Sequence, residues 1–195
     1  MRKRDIIHTI KQAFSEAPMP RPEEIMEAGA DALAPDSEED QAIVARVLAG
    51  KKWQKLTVAD IAFLYSSLSM MTPQAVRYYL PAYLIASIKD PAGVGVSLST
   101  TIWDISPPPF GTSSQEEFDA RIAPITPAER KAICQYFEYV RRTESFIVQF
   151  SGEEPHEYLT GYWQQYCCKS KTSKTALYRR RHKPGRKSEQ RAGVS

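Results

Sequence analysis

Residues 68–88, LSMMTPQAVRYYLPAYLIASI, decide the fold. Thr72 carries a short hydroxyl suited to accept from a first-turn N–H, and Pro73 follows at the first helical position, where a missing donor costs nothing. Ala75, Val76, Tyr79, Leu80, Tyr83, Leu84 and Ile88 then recur at helical spacing with few charges among them. Pro81 falls inside this run and deprives the Arg77 carbonyl of its helical partner, so a kink is expected there. The stretch reads as a central, largely buried helix.

Shorter amphipathic segments surround it. Upstream, Ile6, Ile7, Ile10 and Phe14 form one stripe over residues 4–15, which Pro18, Pro20 and Pro22 terminate. Residues 21–36 form an acidic connector rich in small residues. Ser37 with Asp40 resembles a capping box, followed by Ile43, Val44, Val47 and Leu48 and stopped by Gly50. Trp53 sits in a charged turn ahead of Thr57 and Asp60, which start a third helix. That helix is expected to reach about residue 68, with Ile61, Leu64, Tyr65 and Leu68 facing inward.

Downstream, residues 94–105 are β-branched enough for a strand, yet Leu98, Ile102 and Ile105 also fit a helical stripe. A lone strand has no partner here, which favours a short helix or an extended packed segment. Ser113 with Glu116, and Thr126–Pro127 with Glu129, are further helix starts. The second places Ile133, Phe137 and Val140 on one face, with Tyr136 and Tyr139 alongside. A last helix is expected from Pro155 through Trp163 to about Cys168.

The expected architecture is therefore all-α: a single compact domain over residues 1–168, with about six or seven helices around the proline-containing one. The 195 residues suffice to bury roughly 70% of the unfolded surface without cross-links. No apolar run approaches the roughly 20 residues that span a bilayer, so no transmembrane segment is expected. The basic start MRKRDIIHTIKQAF lacks the continuous apolar block of a signal peptide. Three cysteines, two of them adjacent, make a poor disulfide framework and point to a reducing cytoplasm.

The formal charge of +3 conceals an asymmetry. Residues 169–195 hold five lysines, five arginines and one acid, a net +9, whereas the remainder carries −6. With few apolar residues to bury, this tail is expected to be disordered. Lys174, Tyr178, Arg179, Arg180, Arg181, Lys183, Arg186 and Lys187 are candidate nucleic-acid contacts: the cations for phosphates, Tyr178 for stacking. Anionic lipid or an acidic protein would suit the same charges.

The phrase SLSMMTPQAVRYYLPAYL, residues 67–84, resembles the hallmark of a family of small bacterial proteins of unknown function. The Lys52–Trp53 turn, the Ser106–Pro107–Pro108 break and the helix opening TPAER with Phe137–Glu138–Tyr139 extend the resemblance over residues 4–143. It implies a mostly helical cytoplasmic domain and supplies no activity, cofactor or catalytic residue. A looser similarity to toxin-neutralising immunity proteins has no shared motif behind it.

The residues themselves show no catalytic, cofactor or metal constellation. His8, His156 and His182 share no ligand spacing, and serines such as Ser66, Ser67 and Ser69 ahead of a helix read as caps rather than nucleophiles. Cys167 and Cys168 read as a partly buried pair ending a helix. Arg77 and Tyr78, flanking the apolar face, and Trp53 are candidate contacts for a protein partner. Against this, aromatic residues at helical spacing usually pack, and Trp53 and Trp103 both read more naturally as lids on the core. The leading functional expectation is a non-enzymatic interaction module, adaptor or immunity-like. Nucleic-acid association through the tail comes second, and a hydrolase with an unrecognised site third.

Overall fold

In the computed structural model, Thr72 Oγ1 accepts from the Ala75 N–H at 3.2 Å, and Pro73 opens the longest helix. The structure describes residues 1–26, 37–65, 67–108, 114–140, 142–143 and 162–167. Its helices are α1 (Lys3–Ala13), α2 (Ser37–Leu48), α3 (Val58–Phe63), α4 (Pro73–Lys89), α5 (Pro91–Val94), α6 (Ser97–Asp104), α7 (Gln115–Ile122) and α8 (Pro127–Val140), followed by α9 over 162–167. Short 3-10 turns at Pro22–Glu24, Trp53–Lys55 and Ser67–Met70 join them. Among the described residues there is no strand; Met26 and Met71 form one isolated antiparallel bridge.

α4 is the hub. It continues on both sides of Pro81, and every residue from Tyr78 to Ile88 is buried. It packs against α1, α3, α5, α6, α7 and the Trp53 turn, while α1 lies chiefly along α8. Ile6, Ile10 and Phe14 of the first amphipathic stripe are fully buried, and Ile7 is partly so. Removing such side chains from water is the main favourable term of the fold.

Polar bonds fix how the helices enter the core. The Thr72 hydroxyl also donates to the Glu24 carbonyl at 2.6 Å, and its N–H donates to Ile25 O, tying the segment after α1 to the start of α4. The Tyr79 hydroxyl donates at 2.9 Å to the Leu48 carbonyl at the end of α2, which also accepts from the Lys51 N–H. Gly50 follows at φ +69°, the left-handed conformation that glycine adopts without strain. Thr57 and Asp60 form the expected reciprocal capping box, as do Thr126 and Glu129.

Several local expectations are corrected. The third helix ends at Phe63 rather than about residue 68, because the Leu64 carbonyl is taken by the Ser67 N–H and hydroxyl. Tyr65 consequently points outward, 56% exposed. Trp103 is no lid: on the outer side of α6 it is 51% exposed. The cap of α7 is Ser114, accepting from Glu117 N, one residue beyond the expected Ser113. Cys134 and Cys167 are joined by a disulfide, contrary to the reading of the cysteines as an unpaired set. That contact depends on α9 packing on α8, which no local pattern encodes. Residues 94–105, ambiguous in sequence, are mostly helical: Val94 ends α5 and Ser97–Asp104 form α6, the favoured short helix.

Residues 27–36 of the connector, Ser66, Ser113, the Pro155 start of the last helix, His156, Cys168, His182 and the basic tail lie outside the described residues.

Candidate binding surfaces

Of the three residues expected to meet a partner, two lie together in the core. Trp53 is 2% exposed and Tyr78 is 5% exposed. The Tyr78 hydroxyl faces the Trp53 backbone, and burial raises its pKa. Arg77 leaves the other side of α4, where its Nε lies 3.0 Å from both carboxylate oxygens of Glu129. Glu129 is also half of the α8 capping box, accepting from the Thr126 N–H at 2.7 Å. Arg77 thus ties the buried Glu129, in the first turn of α8, to α4. Lys174, Tyr178, Arg179, Arg180, Arg181, Lys183, Arg186 and Lys187 belong to the tail and lie outside the described residues.

Three further polar clusters surround the core. Ser67 Oγ donates to the Leu64 carbonyl and shares a hydrogen bond with the Tyr83 hydroxyl. Burial raises the Tyr83 pKa, and the nearby charge of Asp104 adds to the effect. Asp104 itself is pushed up to about 7 by burial, against the pull of Arg121. Arg121, only 7% exposed, donates to the carbonyls of Leu68 and Ser69 at 3.1 and 3.3 Å, closing the 3-10 turn ahead of α4. Its Nε is buried without a partner among the described residues. No described imidazole hydrogen-bonds Ser67, so this cluster holds helices together without the base a serine nucleophile needs.

Around α9, the fully buried Trp163 donates its indole N–H to the Ile105 carbonyl at 3.0 Å. Tyr162 packs edge-on against Phe118 with ring centroids 5.0 Å apart, and Arg130 donates to the Tyr166 hydroxyl at 2.9 Å. With the Cys134–Cys167 bond, these contacts fasten α9 across α7 and α8. Ser87 and Tyr136 share a further buried hydroxyl pair at 3.0 Å.

Among the described residues, two exposed surfaces bear on binding. The first is apolar and mostly aromatic: Phe63, Tyr65, Val96 and Trp103 are 62%, 56%, 65% and 51% exposed. They lie where the end of α3 meets α6, joined by Ser97 Oγ donating to Ile61 O at 2.8 Å and Thr100 Oγ1 donating to Tyr65 O. Val96, Thr100 and Trp103 follow helical spacing on one side of α6. Helical periodicity places Tyr65 inward and Trp103 reads as a core lid, which hides this face; the signal for it is the Ser67 side chain that ends α3.

The second is a small, shallow hollow open to solvent, lined by Lys11 of α1, the Trp53 turn, Leu56, Val58, and Ala82, Ile85, Ala86 and Lys89 of α4. Trp53 belongs to its floor. Among the described residues, no group of three or more histidine, cysteine or acidic side chains is placed to hold a metal ion. No described helix is long and apolar enough to cross a membrane.

No curated protein and no solved structure matches the chain. The model of a family of unknown function, DUF6714, matches residues 2–167, from the start of α1 through α9, and the chain belongs to that family.

Proposed function

We propose that this chain is a non-enzymatic protein-interaction module, an adaptor or immunity-like protein, that meets its partner through the α3–α6 face. The observation that carries this reading is the exposure of Phe63, Tyr65, Val96 and Trp103 at one helix junction. Large apolar side chains gathered in the open mark interaction surfaces, and tyrosine and tryptophan are favoured anchors there. The reading moves the contact surface away from Arg77, which Glu129 engages, and from the buried Tyr78. The test is capture of a partner from host lysate after nuclease treatment, comparing the wild type with Tyr65→Ser and Trp103→Ser. A protein captured by the wild type and lost by both variants supports the reading. Equal capture by all three removes the face from it.

A second reading rests on the sequence of the tail. Ten cations and one acid in residues 169–195 suit a phosphate-binding arm. It calls for nucleic-acid affinity that falls steeply with salt and disappears on truncation after residue 168. Binding that survives truncation would end it.

A further inference from the structure

The hollow beside Trp53 lies apart from the aromatic face, and its chemistry is more specific. Its floor is apolar and closed by packed side chains: Ala82, Ile85 and Ala86 of α4 and Trp53 are all buried. Leu56 and Val58 form half-buried walls, and the exposed Gln54 offers an amide at the edge. Lys11 and Lys89 also line it, and no aspartate or glutamate does. Both lysines are exposed. Each sits in the last turn of its helix, where a cation suits the helix dipole while its ammonium stays free to bind. Neither makes an ion pair among the described residues. Lys3, outside the lining, donates from its Nζ to the Lys89 carbonyl at 2.6 Å and ties the start of α1 to the end of α4. Outside its tail the chain is net acidic, so an acid-free basic rim over apolar side chains is a local departure from the chain's own charge.

We propose that this hollow is a docking site for an acidic peptide segment, which packs one apolar side chain against Leu56 and Val58 and sets flanking carboxylates against Lys11 and Lys89. The charge of the rim selects the acid. The short, closed floor selects a single side chain over a long acyl chain. Nucleic acid is a poorer match, since Trp53 is 2% exposed and offers no open ring for stacking. This inference rests on the reading of the chain as an interaction module, though not on the α3–α6 face.

The test is fluorescence anisotropy of a short labelled peptide, one leucine flanked by glutamates, titrated with the full chain at low salt. Saturable binding is expected, weakened about tenfold in the Lys11→Glu/Lys89→Glu double variant, since each exposed pair contributes modestly. The Lys11→Gln/Lys89→Gln variant is expected to fall between, which separates lost attraction from any damage by reversed charge. A peptide with glycine in place of leucine is expected not to bind. Absence of saturable binding, equal binding of a lysine-flanked peptide, or unchanged affinity in both variants would overturn the site. Displacement of the peptide by decanoate at lower concentration than by unlabelled peptide would overturn it in favour of a lipid site. Trp103→Ser is expected to leave peptide affinity unchanged. Failure here therefore leaves the α3–α6 face to its own capture test, and failure there leaves this titration decisive for the hollow.

Discussion

Arg77 and Glu129 are paired across 52 residues of sequence, with Nε 3.0 Å from each carboxylate oxygen and the Glu129 side chain 1% exposed. A carboxylate this deeply buried depends on its cation. Removing one partner of such a pair typically costs about 3–5 kcal/mol, because the other stays buried and uncompensated. Arg77→Ala is accordingly expected to lower urea-unfolding stability by about that amount. Pairing it with Glu129→Gln, which keeps the acceptor of the capping box, should recover part of the loss. A purely additive double variant would show that the two residues do not act as a pair.

Asp104 gives stability an unusual pH dependence. Its pKa rises from 3.8 in the unfolded chain to about 7 in the fold, because burial disfavours the charged form. The folded state therefore binds this proton more tightly. Its contribution is complete below about pH 4 and is lost as pH rises through about 7. The change between these limits is about 2–4 kcal/mol. Asp104→Asn should abolish that slope and stabilise the protein at pH 8 in chemical denaturation.

Asp60 works in the opposite sense at lower pH. Hydrogen bonds from the Thr57 N–H and hydroxyl, with Lys51 nearby, lower its pKa from 3.8 to about 2. Its contribution is present above about pH 4 and is lost as pH falls through about 2. Thr57→Ala should cost about 1 kcal/mol at neutral pH and flatten the acid limb of the same stability curve.

The Cys134–Cys167 bond closes a loop with a sequence separation of 33 residues. Constraining that much unfolded chain stabilises the fold by about 3–4 kcal/mol in the entropic account. Reduction by a dithiol, or Cys134→Ser, should lower Tm by roughly 6–15 °C in calorimetry. No change in Tm on reduction would show that α9 is held by Trp163 and its aromatic neighbours alone.

Trp163 and Trp103 make a matched contrast. Trp163→Phe removes a buried N–H donor and leaves the Ile105 carbonyl without it, a loss expected to cost about 2 kcal/mol or more. Trp103→Ser should stay within about 0.5 kcal/mol of the wild type, since the side chain lies mostly in solvent. Both values can be read from the same denaturation series.

What the sequence announced was local chemistry. Thr72 before Pro73, Thr57 with Asp60 and Thr126 with Glu129 all carry their partners within one turn, and all form as read. The buried side of α4 was equally plain, because its apolar residues repeat at helical spacing. What stayed hidden depends on partners far along the chain. Arg77 looked free because Glu129 is 52 residues away, and Tyr78 looked peripheral because the Trp53 turn that covers it is 25 residues upstream. Tyr65 was misplaced by a helix assumed to continue, when the Ser67 side chain closes the Leu64 carbonyl and ends it. The basic rim over the hollow was invisible for the same reason: Lys11 and Lys89 meet only once α1 lies beside α4.

The pairing of α1 with α8 sets a schedule for synthesis. The apolar stripe of Ile6, Ile10 and Phe14 is made first, yet the helix that chiefly covers it, residues 127–140, is made more than a hundred residues later. At roughly 5–20 residues per second, the ribosome needs several seconds or more to supply that cover. Of the two described helices that α1 chiefly packs against, α4 alone has been made during this interval. A nascent chain stalled before α8 would therefore carry an exposed sticky end at its amino terminus, the kind of surface that holdase chaperones retain.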